Sequence, residues 1–151
     1  MTLQEMFEHV ESSRQRVLTA AQKMDTASFL KRKPGAFSVR DLLVHLMDAE
    51  DYWIGSVILA GKHQKFTPEK YADLNTLRAD WEKIRERTKT VFATLSSEML
   101  GEPRTVQWET EVTFDVDKAL WHLLTHEIHH RGQICMLMRE YGVEPPIADL
   151  L

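Results

Sequence analysis

Helix-breaking residues are few in this chain and fall in clusters, and that distribution limits what the chain can become. "KRKPGAF" (residues 31–37), "AGKHQKFTP" (60–68) and "SSEMLGEPRT" (96–105) separate four long segments with helical periodicity. In the first, Leu3, Met6, Phe7, Val10, Val17, Ala20, Ala21 and Met24 recur at steps of three and four, which predicts a helix over about 2–24. The second starts at Ser38, whose hydroxyl can cap the first turn, and is expected to end near Gly61 in a left-handed C-terminal turn. Thr67 followed by Pro68 is a start signal for the third, and a break near Asn75 would make 68–73 a separate short helix. Beyond it, Leu77, Trp81, Ile84, Thr88, Val91, Phe92 and Leu95 share one face. "TVQWETEVTF" (105–114) alternates like a small hairpin, and the last helix is predicted from Asp115 to Gly142, stopped by Pro145 and Pro146. Four amphipathic helices of about 20 residues joined by loops specify an all-α, four-helix bundle, with a short extra helix or hairpin accommodated in the connections.

A chain of 151 residues is expected to form a single domain, 1–151, with a substantial core. The net charge of −4, without a sustained basic run, provides no electrostatic footprint for nucleic acid. No stretch has the length or apolar content of a signal peptide or membrane span. Cys135 is the one cysteine, which excludes an intrachain disulfide and suits a reducing compartment; the cytoplasm is the default location.

The chemistry is concentrated in "THEIHHRGQI" (125–134). His126 to His130 fits H-E-x-x-H, the pattern by which a metalloprotease helix holds zinc with the glutamate as general base. The remaining residues do not support that reading. In the extended motif Gln133 would have to be glycine and Met136 histidine. Glu140 lies ten residues along the same helix, about 15 Å away, and cannot reach the same ion. The alternative is that His122, His126 and His130 form an i,i+4 stripe, with His129 rotated off it. Two imidazoles at that spacing can chelate one ion. His45, in "LLVHLMD", is the candidate third ligand from a facing helix. The ordinary readings remain open on the residues alone: a hydrogen-bonded histidine at the core edge for His45, and a solvated helix face for the pair.

Two stretches carry a family resemblance. "FSVRDLLVHLMDAEDYWIG" (37–55) and "WHLLTHEIHHRGQI" (121–134) resemble the DinB family, a superfamily of metal-binding four-helix bundles that includes bacterial low-molecular-weight-thiol-dependent transferases and isomerases. The resemblance implies a DinB-like bundle whose metal is held by a second-helix histidine and by an i,i+4 pair on the last helix: here His45, His126 and His130. Thr125 stands where the family often has asparagine, and Glu127 falls at a variable position. The resemblance also implies a homodimer.

Three neutral imidazoles suit zinc, nickel or ferrous iron, and three protein ligands leave coordination positions open, as in catalytic sites. A water or thiol bound there would be deprotonated near neutrality. The expected function is a metal-dependent enzyme acting on a small molecule: the resemblance implies a small-thiol S-transferase, and a hydrolase is the alternative chemistry. The other class is a non-catalytic, stress-linked bundle whose metal is mainly structural. Asp48, one turn from His45, and Gln133, three residues after His130, are candidates for orienting the ligand rings. Glu50 is about 140° around the helix from His45 and is expected in an ion pair with Arg131. Gly132, in a helix interior, implies a closely packed neighbour; Trp53, Trp108 and Trp121 are pocket candidates. Cys135 is read as a buried structural thiol, Met136 and Met138 as core or dimer surface, and His9 and His63 as surface residues.

Overall fold

The computed structural model describes residues 1–149. Helix α1 (Leu3–Ala21) starts with a capping box: Thr2 Oγ1 accepts from the Glu5 amide at 3.1 Å, while the Thr2 amide donates to Glu5 Oε2 at 2.6 Å. A one-turn helix, α2 (Thr26–Leu30), precedes α3 (Val39–Glu50), which opens with the same device built from Ser38 and Asp41. The α3 axis continues through Asp51–Ile58 in the wider π register, and the Leu59 amide reaches back to Ile54 O at 3.0 Å.

The left-handed residue that ends this helix is Ala60, with φ 54°, and not Gly61 as the sequence suggests. Gly61 is needed for another reason. Its amide lies 2.8 Å from Gly55 O, and a Cβ there would stand 2.9 Å from the same oxygen.

Pro68–Lys70 forms a single 3₁₀ turn, and α4 (Leu74–Ala93) starts separately, capped by Asp73. After the short α5 (Ser97–Leu100), strands β1 (Pro103–Gln107) and β2 (Glu111–Asp115) pair antiparallel, with Thr105 opposite Thr113. The molecule is therefore mostly helical rather than strictly all-α, because the β-branched alternation of this connection closes as a two-stranded ladder. Asp115 then caps α6 (Val116–Glu140), and Gly142, at φ +77°, terminates it. Among the described residues no helix is long and apolar enough to cross a membrane.

The long helices α1, α3 with its π extension, α4 and α6 enclose two apolar clusters. One centres on Leu43, Met47, Leu77, Trp81 and Ile134, the other on Phe7, Ile54, Phe92, Leu120 and Leu124. In each long helix a buried charged residue falls between its contributions to the two clusters: Arg14, Glu50, Arg85 and Glu127. Arg85, with no exposed surface, is the hub. Its Nε donates to Glu11 Oε2 at 2.6 Å, and its Nη1 donates to Glu50 Oε1 at 3.1 Å and lies 3.6 Å from Glu127 Oε2. Each of the four long helices supplies one member. Glu50 also accepts from Trp81 Nε1 at 2.6 Å and from the Thr88 hydroxyl.

The Glu50–Arg131 pair expected from sequence is thus not formed, because Arg85 occupies the position; Arg131 donates instead to Ala148 O at 3.3 Å. Burial raises the Glu50 carboxyl, but Arg85 and Arg14 outweigh it and hold the group below its ordinary value. For Glu127 burial prevails, and its carboxyl is raised.

Removing one member of such a cluster strands the others without water or partner. Arg85→Met is expected to lower the unfolding free energy by about 3–5 kcal/mol in urea titrations. A change below about 1 kcal/mol would show that the carboxylates are satisfied without it.

Candidate functional site

The α3–α6 contact brings His45 to His126 and His130. His45 sits on the solvent edge of α3, with Leu42, Leu43, Val44 and Leu46 buried around it. His126 and His130, one turn apart on α6, are half-buried. His45 Nε2 lies 3.1 Å from His126 Nε2, and the ring centroids are 5.0 Å apart for His45–His126, 4.7 Å for His45–His130 and 4.5 Å for His126–His130. One nitrogen from each ring falls within 4.8 Å of the other two, a group that can hold a metal ion.

The donor set fits such an ion. Two imidazole nitrogens 3.1 Å apart repel through their lone pairs unless a proton or a cation lies between them. Two ligand nitrogens on one tetrahedral zinc, with bonds of about 2.0–2.1 Å, are separated by a little over 3 Å. Gln133 Oε1 accepts from His130 Nδ1 at 2.7 Å, which fixes the tautomer and leaves Nε2 with a free lone pair. His126 Nδ1 is buried and has no hydrogen-bond partner among the described residues.

Charge works in the same direction. Burial, reinforced by His130, lowers the pKa of His45 against the pull of Asp48. Burial, with His130, His45, His122 and His129 adding to it, lowers His126 to about 4. Both rings are held in the neutral form that binds metals.

Of the two candidate orienting groups, Gln133 is in place and Asp48 is not. Asp48 Oδ1 accepts from the Phe66 amide at 2.7 Å and faces His63 Nε2 at 3.3 Å. His63 also meets Asp51 Oδ2 at 3.0 Å, and the Gln64 amide donates to the same oxygen at 2.9 Å. Asp48, Asp51 and His63 thus fasten the segment 59–67 to α3 and its π extension. His63, expected at the surface, is half-buried here; its sequence neighbours carry no periodic signal that would have shown it.

His129 lies outside the triad, exposed, with Nε2 3.4 Å from Gln133 Nε2. His122 extends the stripe, its ring 5.8 Å from that of His126 and 4.8 Å from that of Trp53. Glu127 points into the bundle toward Arg85, so the glutamate of the H-E-x-x-H match does not stand beside the rings. Gly132 is not a close-packing position: it lies on the exposed face of α6, and a Cβ there would meet nothing within 4 Å. Cys135 is partly buried against the core, and burial raises its thiol pKa. Met138 is fully buried, whereas Met136 is 61% exposed.

Two cavities border the triad. One, of about 720 Å³, reaches His45 and His130 past Phe37, Leu42 and Phe66. The other, of about 420 Å³, reaches His45 and His126 past Tyr52, Trp53 and Trp108. Trp121 lines neither and packs against the second apolar cluster.

A mostly helical bundle with three converging imidazoles at the partly open junction of its second and last long helices defines a class of protein. The sequence model of the DinB family matches residues 1–151, and the chain belongs to that family. It is 28% identical over 151 residues to the uncharacterized protein YizA of Bacillus subtilis (strain 168), covering 99% of this chain and 94% of that one. Two solved structures share the fold. A DinB-like protein from Bacillus cereus ATCC 10987 superposes with a TM-score of 0.68 at 17% identity, covering 91% of this chain and 94% of that one. A DinB-like protein, YjoA, from Bacillus subtilis gives 0.69 at 20% identity, covering 95% and 97%.

The lowered pKa of His126 makes a pH prediction for metal-free protein. Unfolded chain takes up a proton near 6.5, while the native ring stays neutral to about 4. The unfolded state therefore binds more protons in that interval, and the contribution to stability, full above 6.5, is lost as pH falls toward 4. Imidazole NMR titration of metal-free protein is expected to show one ring titrating near 4 that vanishes in His126→Gln; titration of His126 near 6.5 would contradict the arrangement.

Proposed function

We propose that His45, His126 and His130 hold a divalent transition metal (zinc, nickel or ferrous iron) and that the protein is an enzyme joining a low-molecular-weight thiol to a small electrophile. The observation that carries this reading is the pair of cavities meeting at the triad, since a bimolecular transfer needs separate access for two reactants. When bound, the ion acts as a Lewis acid that lowers the pKa of a coordinated thiol or water.

The chain's own residues do the rest. His45, His126 and His130 each turn a ring nitrogen to the shared position, Gln133 holds His130 in its tautomer, and the Asp48–His63–Asp51 cluster keeps the 59–67 segment at the cavity walls. Hydrolysis would use the same rings with water in place of the thiol. A non-catalytic bundle with a structural metal rests on the same histidines but leaves both cavities without a role. Assembly as a homodimer and residence in a reducing cytoplasm accompany the proposal.

With cysteine as the thiol and 1-chloro-2,4-dinitrobenzene as the electrophile, a C–S bond forms, the C–Cl bond breaks with chloride taking the electron pair, and the thiol proton passes to buffer. The rate above background is expected to require both thiol and bound metal. His45→Ala, His126→Ala and His130→Ala are each expected to lose most of the metal and the rate, while His129→Ala keeps both. Equal rates for metal-free and loaded protein would reject catalysis by the ion, and equal metal loss at His129 would reject the ligand set.

A further inference from the structure

We propose that the cavity of about 420 Å³ on the His126 side takes a planar aromatic ring and that Trp108 determines this specificity. Its role as the electrophile's subsite rests on the function proposed above; ring binding itself does not.

Trp108 is a large apolar side chain left 54% exposed at the hairpin turn, yet the hairpin that carries it is firmly attached. Val106 is buried, the Phe114 ring packs on Trp53 at 5.7 Å, and Arg104 Nη2 donates to Ile58 O at 3.1 Å. These attachments hold the indole over the cavity. Trp53, only 6% exposed, forms the floor. The Trp108 ring stands 6.2 Å from it at 81°, that of Tyr52 5.5 Å at 76° and that of His122 4.8 Å at 58°. Walls steeply inclined to an aromatic floor form a box that offers both edge and face contacts to a flat guest. The volume falls within the range of small-molecule sites.

An aromatic box can also bind an organic cation. Here the lining holds one carboxylate, Asp48, and one ammonium, Lys65, whose formal charges cancel, so the box has no net charge to select a cation and its aromatic surfaces decide the guest. Because His45 and His126 share the lining, a ring seated there lies against the triad.

The test is calorimetric titration of metal-free protein, so it does not depend on catalysis or metal. The probes are 2-naphthoate and its saturated counterpart decahydronaphthalene-2-carboxylate, alike in charge and skeleton. Aromatic contacts add about 0.5–1.5 kcal/mol beyond area, or roughly two- to tenfold in Kd. Naphthoate is expected to bind tighter than the saturated acid by about that factor. Trp108→Ala should weaken naphthoate by a similar factor, Trp108→Phe should recover much of it, and Phe37→Ala in the other cavity should change nothing. Thermal melts that match wild type will show that Trp108→Ala is folded. The proposal is overturned if naphthoate does not bind at millimolar concentration, if the saturated acid binds as well, or if Phe37→Ala and not Trp108→Ala carries the loss.

Discussion

Arg85 is the constraint on which the arrangement depends. A guanidinium with no access to water must be matched by acceptors, and the four-helix packing supplies them from Glu11, Glu50 and Glu127. Those partners fix how α1, α3 and α6 face α4. With Glu127 turned inward to Arg85, the neighbouring His126 is rotated by about 100° toward the edge shared with α3. With Glu50 turned inward, His45, about 140° around α3, comes out on the same edge. The buried ion cluster and the histidine cluster are two sides of one helix register.

This register explains why H-E-x-x-H here is not a peptidase motif. The glutamate that would serve as base is buried in the core, where it compensates a cation. The histidines are left as a ligand-type set on a junction that is neither dry nor fully exposed. Burial enough to keep His45 and His126 neutral, together with access from two cavities, is the combination expected of a site that exchanges ligands.

Local rules carried much of this in the sequence. Ser38 and Asp115 cap the helices they were expected to cap, the break before α4 falls at Asp73 near the expected Asn75, and the i,i+4 spacing of His126 and His130 already implied a shared face. His45 was already the candidate third ligand from its place on the second helix, and the family resemblance favoured that reading over a hydrogen-bonded histidine at the core edge. What could not be read depends on tertiary partners. Arg85 is one more charge on a helix rich in them, and nothing in the local sequence distinguishes it from Arg78 or Arg87. Asp48 had the right spacing from His45 but is claimed by a loop amide and by His63, eighteen and fifteen residues further along the chain. Gly132 suggested a close neighbour, yet it faces outward. The left-handed turn fell on Ala60, one residue from the glycine that seemed to offer it, because the π register shifted the helix end.

Anomalous diffraction from crystals of protein loaded with zinc tests the central claim most directly. One strong peak is expected about 2.0–2.1 Å from nitrogens of His45, His126 and His130, with Gln133 still on His130 Nδ1. A peak elsewhere, or a His45 ring turned away from α6 in the loaded crystal, would contradict the account.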